Sequence, residues 1–316
     1  MRSRSAALGL GAALLLSGCG GADSAAAENS VAPEESRTVV HALGETEIQG
    51  NPERVVVLDT GELDAVLALG ITPVGAVRTD VSDALPAYIQ DAGVDPGEIE
   101  NVGTIQEPDL EAIAALQPDL ILTNKVRHED IYGQLSAIAP TVVAEAVGET
   151  WKENLLLDAE ALGLTEKAEE LLAEHEQRAA EVGQLFGDPA STEVSIVRFL
   201  DGTAVRLYGE GSFIGSVLAD VGFARPALQQ TSETFVEVSP EEISQADADL
   251  IFHAAYGQEG QTAAGQITGG QLWQNMAAVQ QGKAHEVSDD RWFLALGPLG
   301  ADLVLDDLEE IAQQRG

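Results

Sequence analysis

Between residues 150 and 185 the stretches TWKENLLLDAEALG and TEKAEELLAEHEQRAAEVGQLF carry no strand signal, and Ala168, Leu171, Leu172, His175, Ala179 and Val182 keep one apolar stripe at helical spacing. Gly163 divides the region into two helices. The second, from about Thr165 to Leu185, is expected to run roughly 31 Å at 1.5 Å per residue, the height of a whole domain. Both flanks have a different rhythm. RVVVLD from Arg54 reads as a buried strand, GELDAVLALG as a short amphipathic helix and ITPVGAV as another strand; after Pro189 the same α/β alternation resumes. A chain of this pattern is restricted to two α/β lobes on either side of a helical connector.

A weak repeat supports the division. DLEAIAALQPDLIL at 109–122 aligns without gaps on SPEEISQADADLIF at 239–252, matching Glu111 with Glu241, Ile113 with Ile243, Asp119 with Asp249, Leu120 with Leu250 and Ile121 with Ile251, at a constant offset of 239 − 109 = 130 residues. Each copy is a short helix feeding a buried strand, so each lobe carries one. The boundaries expected are 38–148 for the N-terminal lobe, 149–187 for the helical linker and 188–316 for the C-terminal lobe.

The N-terminus has an export layout. MRSRSAALGLGAALLLSGCGG places Arg2 and Arg4 before an apolar segment from Ala6 to Leu16, too short to span a bilayer as a mature helix, so residues 1–18 read as a signal peptide. Leu16-Ser17-Gly18-Cys19 resembles the bacterial lipobox, in which the cysteine carries lipid. Cys19 is also the only cysteine of the chain, which rules out an intramolecular disulfide in an oxidising compartment. Residues 19–37, small, polar and acidic, read as a lipidated, disordered tether that holds the body off the extracytoplasmic face of the cell membrane. The 53 acidic against 16 basic residues, a formal charge of −37, oppose a nucleic-acid partner.

Several chemistries fail on their own terms. Gly209-Glu210-Gly211-Ser212-Phe213-Ile214-Gly215 has one residue too many for a dinucleotide fingerprint and reads as a strand-to-helix turn capped by Ser212. Ser212 also lacks the G-x-S-x-G context of a hydrolase nucleophile. His41, His128, His175, His253 and His285 show no metal-binding spacing, although His253 ends a strand, where α/β folds bind ligands.

The arginines are more telling. Arg198 in VSIVRFL shares a strand face with Ile196 and Leu200, Arg206 opens RLYG beside Tyr208, and Arg78 and Arg127 follow buried strands of the first lobe. A buried guanidinium must be paired or face a cleft. For each taken alone an internal salt bridge accounts for it nearly as well; four at strand ends from both halves are explained together by a cleft for an anionic or oxygen-rich ligand. Trp292, beside Arg291 in SDDRWFLALGP, either packs in the core or lines that pocket, and Trp151 and Trp273 sit in helical patterns.

RVVVLDTGELDAVLALGITPVGA, VGTIQEPDLEAIAALQPDLIL, GSFIGSVLADVGFARP, WQNMAAVQQGKAHEVSDDRWF and the lipobox together resemble the solute-binding lipoproteins of iron-siderophore ABC importers, which share a fold with ferric-hydroxamate and cobalamin binding proteins. The resemblance covers essentially the whole chain. It implies an α/β fold of two Rossmann-like lobes bridged by one long α-helix, with the ligand cleft between them, and a monomer that captures a ferric siderophore and passes it to an ABC permease. It implies no catalysis, no cofactor and no direct protein ligand to metal. Arg78, Arg127, Arg198 and Arg206 would then meet chelating oxygens, with Tyr208, Phe235 and Trp292 packing on the ligand, while Glu111 and Glu241 match the glutamates with which each lobe docks on the permease. Relatives can carry a ligand-binding arginine before the EPDLEAI helix, where this chain has Thr104, Ile105 and Gln106, which leaves hydroxamate, catecholate and mixed chelators open. The alternatives are a binder of cobalamin, haem or free metal ion and, in a different class, an exported hydrolase.

Overall fold

The computed structural model describes residues 36–202 and 204–314. The signal peptide, Cys19 and residues 19–35 of the expected tether lie outside them. The first element is a hairpin of antiparallel strands, β1 (Ser36–His41) and β2 (Gly44–Gln49). It therefore begins two residues inside the segment read as tether. The reason is Arg37, whose Nε and Nη2 donate to the Ala161 carbonyl at 3.1 and 2.9 Å, near the C-terminus of the helix Trp151–Leu162, where a cation is favoured.

The first sheet contains β3 (Val55–Val57), β4 (Gly75–Arg78), β5 (Glu100–Thr104), β6 (Leu120–Asn124) and β7 (Thr141–Ala144), all parallel, in the order β5-β4-β3-β6-β7. VVV and LILTN are buried at every position, as strands covered on both faces must be. The second contains β8 (Val194–Phe199), β9 (Val205–Tyr208), β10 (Phe235–Val238), β11 (Leu250–Ala255) and β12 (Ala284–Glu286) in the order β10-β9-β8-β11-β12. Here β8, β11 and β12 run parallel, while β9 is antiparallel to both its neighbours.

The 130-residue repeat has a structural basis. β6 lies beside β3 as β11 lies beside β8. The Asp119 carboxylate accepts the backbone N–H of Glu53 and Arg54, which lead into β3, at 2.8 and 2.9 Å, and Asp249 accepts the N–H of Glu193, which leads into β8, at 2.9 Å. Each aspartate pins the start of a central strand to the next strand over.

Two helices connect the sheets, Trp151–Leu162 and Thr165–Leu185, separated by Gly163 in the left-handed region at φ 75°. They are fastened to the helix Phe213–Val221 and its last turn by Trp151 Nε1 donating to Ser216 Oγ (2.9 Å) and by Lys152 and His175 meeting Asp220 (2.7 and 2.9 Å). Gly183 in the long helix sits against the Val221 carbonyl oxygen, where a Cβ would collide with backbone. Gly183→Ala should therefore destabilise by about 1–3 kcal/mol, despite alanine's better helix propensity, and a lowered urea midpoint at unchanged m-value is the readout.

The sheets are also tied directly within one compact unit. Asp64, on the helix Thr60–Ala68 of the first sheet, accepts the N–H of Leu299 and Gly300 at the start of the C-terminal helix Pro298–Gln314, at 2.8 and 3.1 Å. Asp290 accepts the Ala87 N–H (2.9 Å), and Arg291 reaches from Asp307 to Asp91 (both 2.9 Å). Among the described residues no helix is long and apolar enough to cross a membrane.

Candidate functional site

A cavity of about 360 Å³ opens where the strand ends of the two sheets meet. Val81, after β4, lines it from one side; Tyr256 and Gly257 after β11, and Glu286, Asp289 and Asp290 after β12, line it from the other. The C-terminal ends of parallel strands are where open α/β sheets hold ligands, because the loops there diverge and leave N–H groups and side chains facing outward.

Behind this wall stands Arg198. In the β8–β9 register it is directly opposite Arg206, and on its other side faces Ala254 of β11, so both guanidinium groups leave the same face of the sheet. Its Nε and Nη2 hold Asp289 in a two-point bridge at 2.7 and 2.6 Å, and its Nη1 donates to the Tyr208 hydroxyl at 3.1 Å. The Tyr256 and Phe293 rings lie 4.7 and 4.9 Å from the guanidinium carbon. Burial alone would weaken its charge, but Asp289 and Tyr208 reverse that and push the pKa up. The salt-bridge reading of Arg198 is the one found, and Asp289 carries its effect to the cavity.

Arg206 pairs with Glu237, its register partner on β10, at 3.1 Å and covers the Phe235 ring at 4.0 Å. Tyr208 is buried against Phe293 and Phe235, at 4.7 and 5.8 Å between ring centres. Trp292 overturns the pocket expectation: it is 0% exposed, its Nε1 donates to Asp307 at 2.8 Å and its ring packs 4.7 Å from Phe252. A side chain enclosed on every side has no face to offer a ligand. Arg78 is corrected too. Its guanidinium folds back to donate to the carbonyls of Asp83 (3.2 Å), Ala76 (2.7 Å), Val77 (3.3 Å) and Ile99 (2.8 Å), serving as a clasp for the loop after β4.

After β6 of the first sheet, Arg127 donates through Nε to Asp59 at 3.0 Å, with 31% of the side chain exposed. Asp59 caps the helix Thr60–Ala68, and Asn124 joins it to that helix by donating to Asp59 (3.1 Å) and Glu62 (3.2 Å) while accepting the Arg127 N–H (3.1 Å). The arrangement mirrors Arg198–Asp289: one arginine held by one aspartate at the end of a strand in each sheet. Sequence reasoning found the arginines and missed Asp59, Asn124, Asp289 and Tyr256. Asp59 had a signal, an aspartate before TGELDAV, the N-cap pattern.

Glu111 is exposed in the first turn of the helix Leu110–Ala115, and Glu241 in the first turn of the 3-10 helix Pro240–Ala246. His253 packs against Trp273 and Phe199 on the opposite sheet face from Arg198, and burial lowers its pKa. Ser212 accepts the Gly215 N–H at 3.0 Å and donates to the Gly209 carbonyl at 2.6 Å, which is the cap expected. Among the described residues no group of three or more His, Cys, Asp or Glu is placed to hold a metal ion.

The site rests on buried carboxyl groups. Burial raises Asp64 to about 7 against the pull of the Leu299 and Gly300 N–H groups; Glu62 is raised by burial and then by Asp59, and Asp158 by burial and then by Glu62. Each binds a proton in the fold where the unfolded chain has lost it, so the stability it contributes is full below about pH 4 and is lost as pH climbs through the folded value. Urea stability should accordingly fall, by a few kcal/mol in order of magnitude, from pH 5 to pH 8. Glu62→Gln should flatten that slope, and an unchanged slope would remove the Glu62 carboxyl as its source.

Residues 55–289 match the model of the family described as periplasmic binding protein. A probable siderophore-binding lipoprotein of Bacillus subtilis is 42% identical over 310 residues, covering 94% of each chain. An Fe(3+)-citrate-binding protein of the same organism is 32% identical, covering 89% of this chain and 87% of its own. Among solved structures, Staphylococcus aureus SirA complexed with staphyloferrin B superposes with a TM-score of 0.77 at 32% identity, covering 87% of this chain and 97% of that one.

Proposed function

The chain belongs to the periplasmic binding protein family, and from that premise we propose that it captures a ferric siderophore outside the cytoplasm and delivers it to an ABC importer. The observation that supports the proposal is an arginine held by an aspartate near the end of a strand in each sheet, Arg127–Asp59 after β6 and Arg198–Asp289 near the end of β8. Arg127 presents its remaining N–H groups to chelate oxygens, the second-sheet wall is set by Arg198 through Asp289 and Tyr256, and Arg206, paired with Glu237, stacks on Phe235 beside it. Iron is held by its chelator. The protein catalyses nothing; the Ser212 hydroxyl is engaged as a helix cap.

Delivery follows from the repeat. Glu111 and Glu241, exposed at equivalent positions, suit two cationic pockets of a dimeric permease. Lobes of 38–148 and 188–316 joined by 149–187 place one glutamate on each. Lipid on Cys19, with at least two acyl chains, anchors the monomer to the membrane, in keeping with relatives named as lipoproteins.

The test is a titration of the lipid-free protein against ferric siderophores, haem, cobalamin and zinc by intrinsic fluorescence. Saturable quenching by at least one ferric siderophore is expected, and Arg127→Ala should weaken it by 10-fold or more, about 1.4 kcal/mol. Saturation by zinc, haem or cobalamin with none by any ferric chelate would overturn the proposal.

A further inference from the structure

The charge of the cleft narrows the ligand class, an inference that rests on the siderophore-binding reading. Among the described residues Glu286, Asp289 and Asp290 line the cavity, and no lysine or arginine does. Only Asp289 is neutralised, by the two-point bridge to Arg198. Asp290 accepts the Ala87 N–H but meets no cation, and Glu286 has no salt-bridge partner among the described residues. The Tyr256 hydroxyl is raised first by burial and then, against the pull of Arg198, by the negative fields of Asp80, exposed after β4, and Asp289. Arg127, after β6 of the first sheet, is already bound to Asp59. The cleft thus presents donors to a chelate while keeping a surplus of negative charge at its wall.

Ferric chelates differ sharply in net charge. Three hydroxamates neutralise Fe³⁺, and a pendant ammonium makes the complex cationic; three catecholates leave it strongly anionic. Unpaired carboxylates with low-dielectric walls repel the last and attract the second. We propose that this site selects neutral or cationic ferric hydroxamate chelates and rejects polyanionic catecholates, with Asp290 and Glu286 as the specificity-determining residues. An ammonium tail would meet the unbridged carboxylates of Asp290 and Glu286, both of which line the cavity.

The experiment measures affinities of the full-length protein in detergent for ferrioxamine B (cationic), ferrichrome (neutral), ferric enterobactin (polyanionic) and ferric citrate, at low and high salt. Ferrioxamine B or ferrichrome should bind at least 10-fold more tightly than ferric enterobactin at low salt, and the gap should shrink as salt screens the wall. Asp290→Asn, which keeps an acceptor for the Ala87 N–H, combined with Glu286→Gln should also narrow the gap by about 10-fold. Glu286→Gln alone, at an exposed position, should move it in the same direction without disturbing the fold. Equal or tighter binding of ferric enterobactin, or of the likewise anionic ferric citrate, overturns the charge inference while leaving the siderophore reading intact. Failure of all four chelates to bind overturns both.

Discussion

Truncating Trp292 to alanine is expected to cost about 3–5 kcal/mol of folding stability and to leave the affinity of the folded protein for its ferric chelate within a few-fold. The side chain is fully enclosed between Phe252 and the C-terminal helix, and its indole N–H is donated to Asp307. Removing it opens a large cavity and strips Asp307 of a donor, leaving that carboxylate only its Arg291 bridge. Urea unfolding reads the first effect and chelate titration the second. A variant of near-normal stability that has lost binding would return Trp292 to the cleft.

Arg198→Met is expected to lose about 3–5 kcal/mol, because it leaves Asp289 in a part-buried site without its cation. The same substitution releases the Tyr208 hydroxyl and the wall of the cavity, so chelate affinity should fall with stability. Adding Asp289→Leu removes the stranded charge, and most of the stability should return, since replacing both members of a buried pair by apolar groups is close to neutral. Affinity should not return with it. If the double variant is as unstable as the single one, packing against Tyr256 and Phe293, rather than the ion pair, holds the site together.

These two residues also mark how far the site can be read without the fold. Strand-end arginines are visible in sequence because a cation inside an apolar run breaks a strong local pattern. Its resolution is not visible. Arg198 finds Asp289 across 91 residues and Arg127 finds Asp59 across 68, whereas Arg78 turns back on carbonyls of its own loop and its neighbour strand. Trp292 beside Arg291 has the same local look whether it lines a pocket or fills a core. The acidic wall was hidden for a different reason: Glu286, Asp289 and Asp290 already stand together in EVSDD, but in a chain with 53 acids such a group does not stand out until the fold turns it onto one cavity.

By itself the sequence determined the two α/β stretches, the helical connector broken at Gly163, the Ser212 cap and the 130-residue repeat. All of these depend on periodicity, helix caps and glycine conformations that act within a few residues, and the repeat is two such local patterns compared. Tertiary structure alone decided the antiparallel insertion of β9, the clasp of Asp64 on the C-terminal helix and the partner of every arginine. A charged side chain is placed by whichever acceptor the packed sheets bring within about 3 Å, and that distance is set by the whole fold.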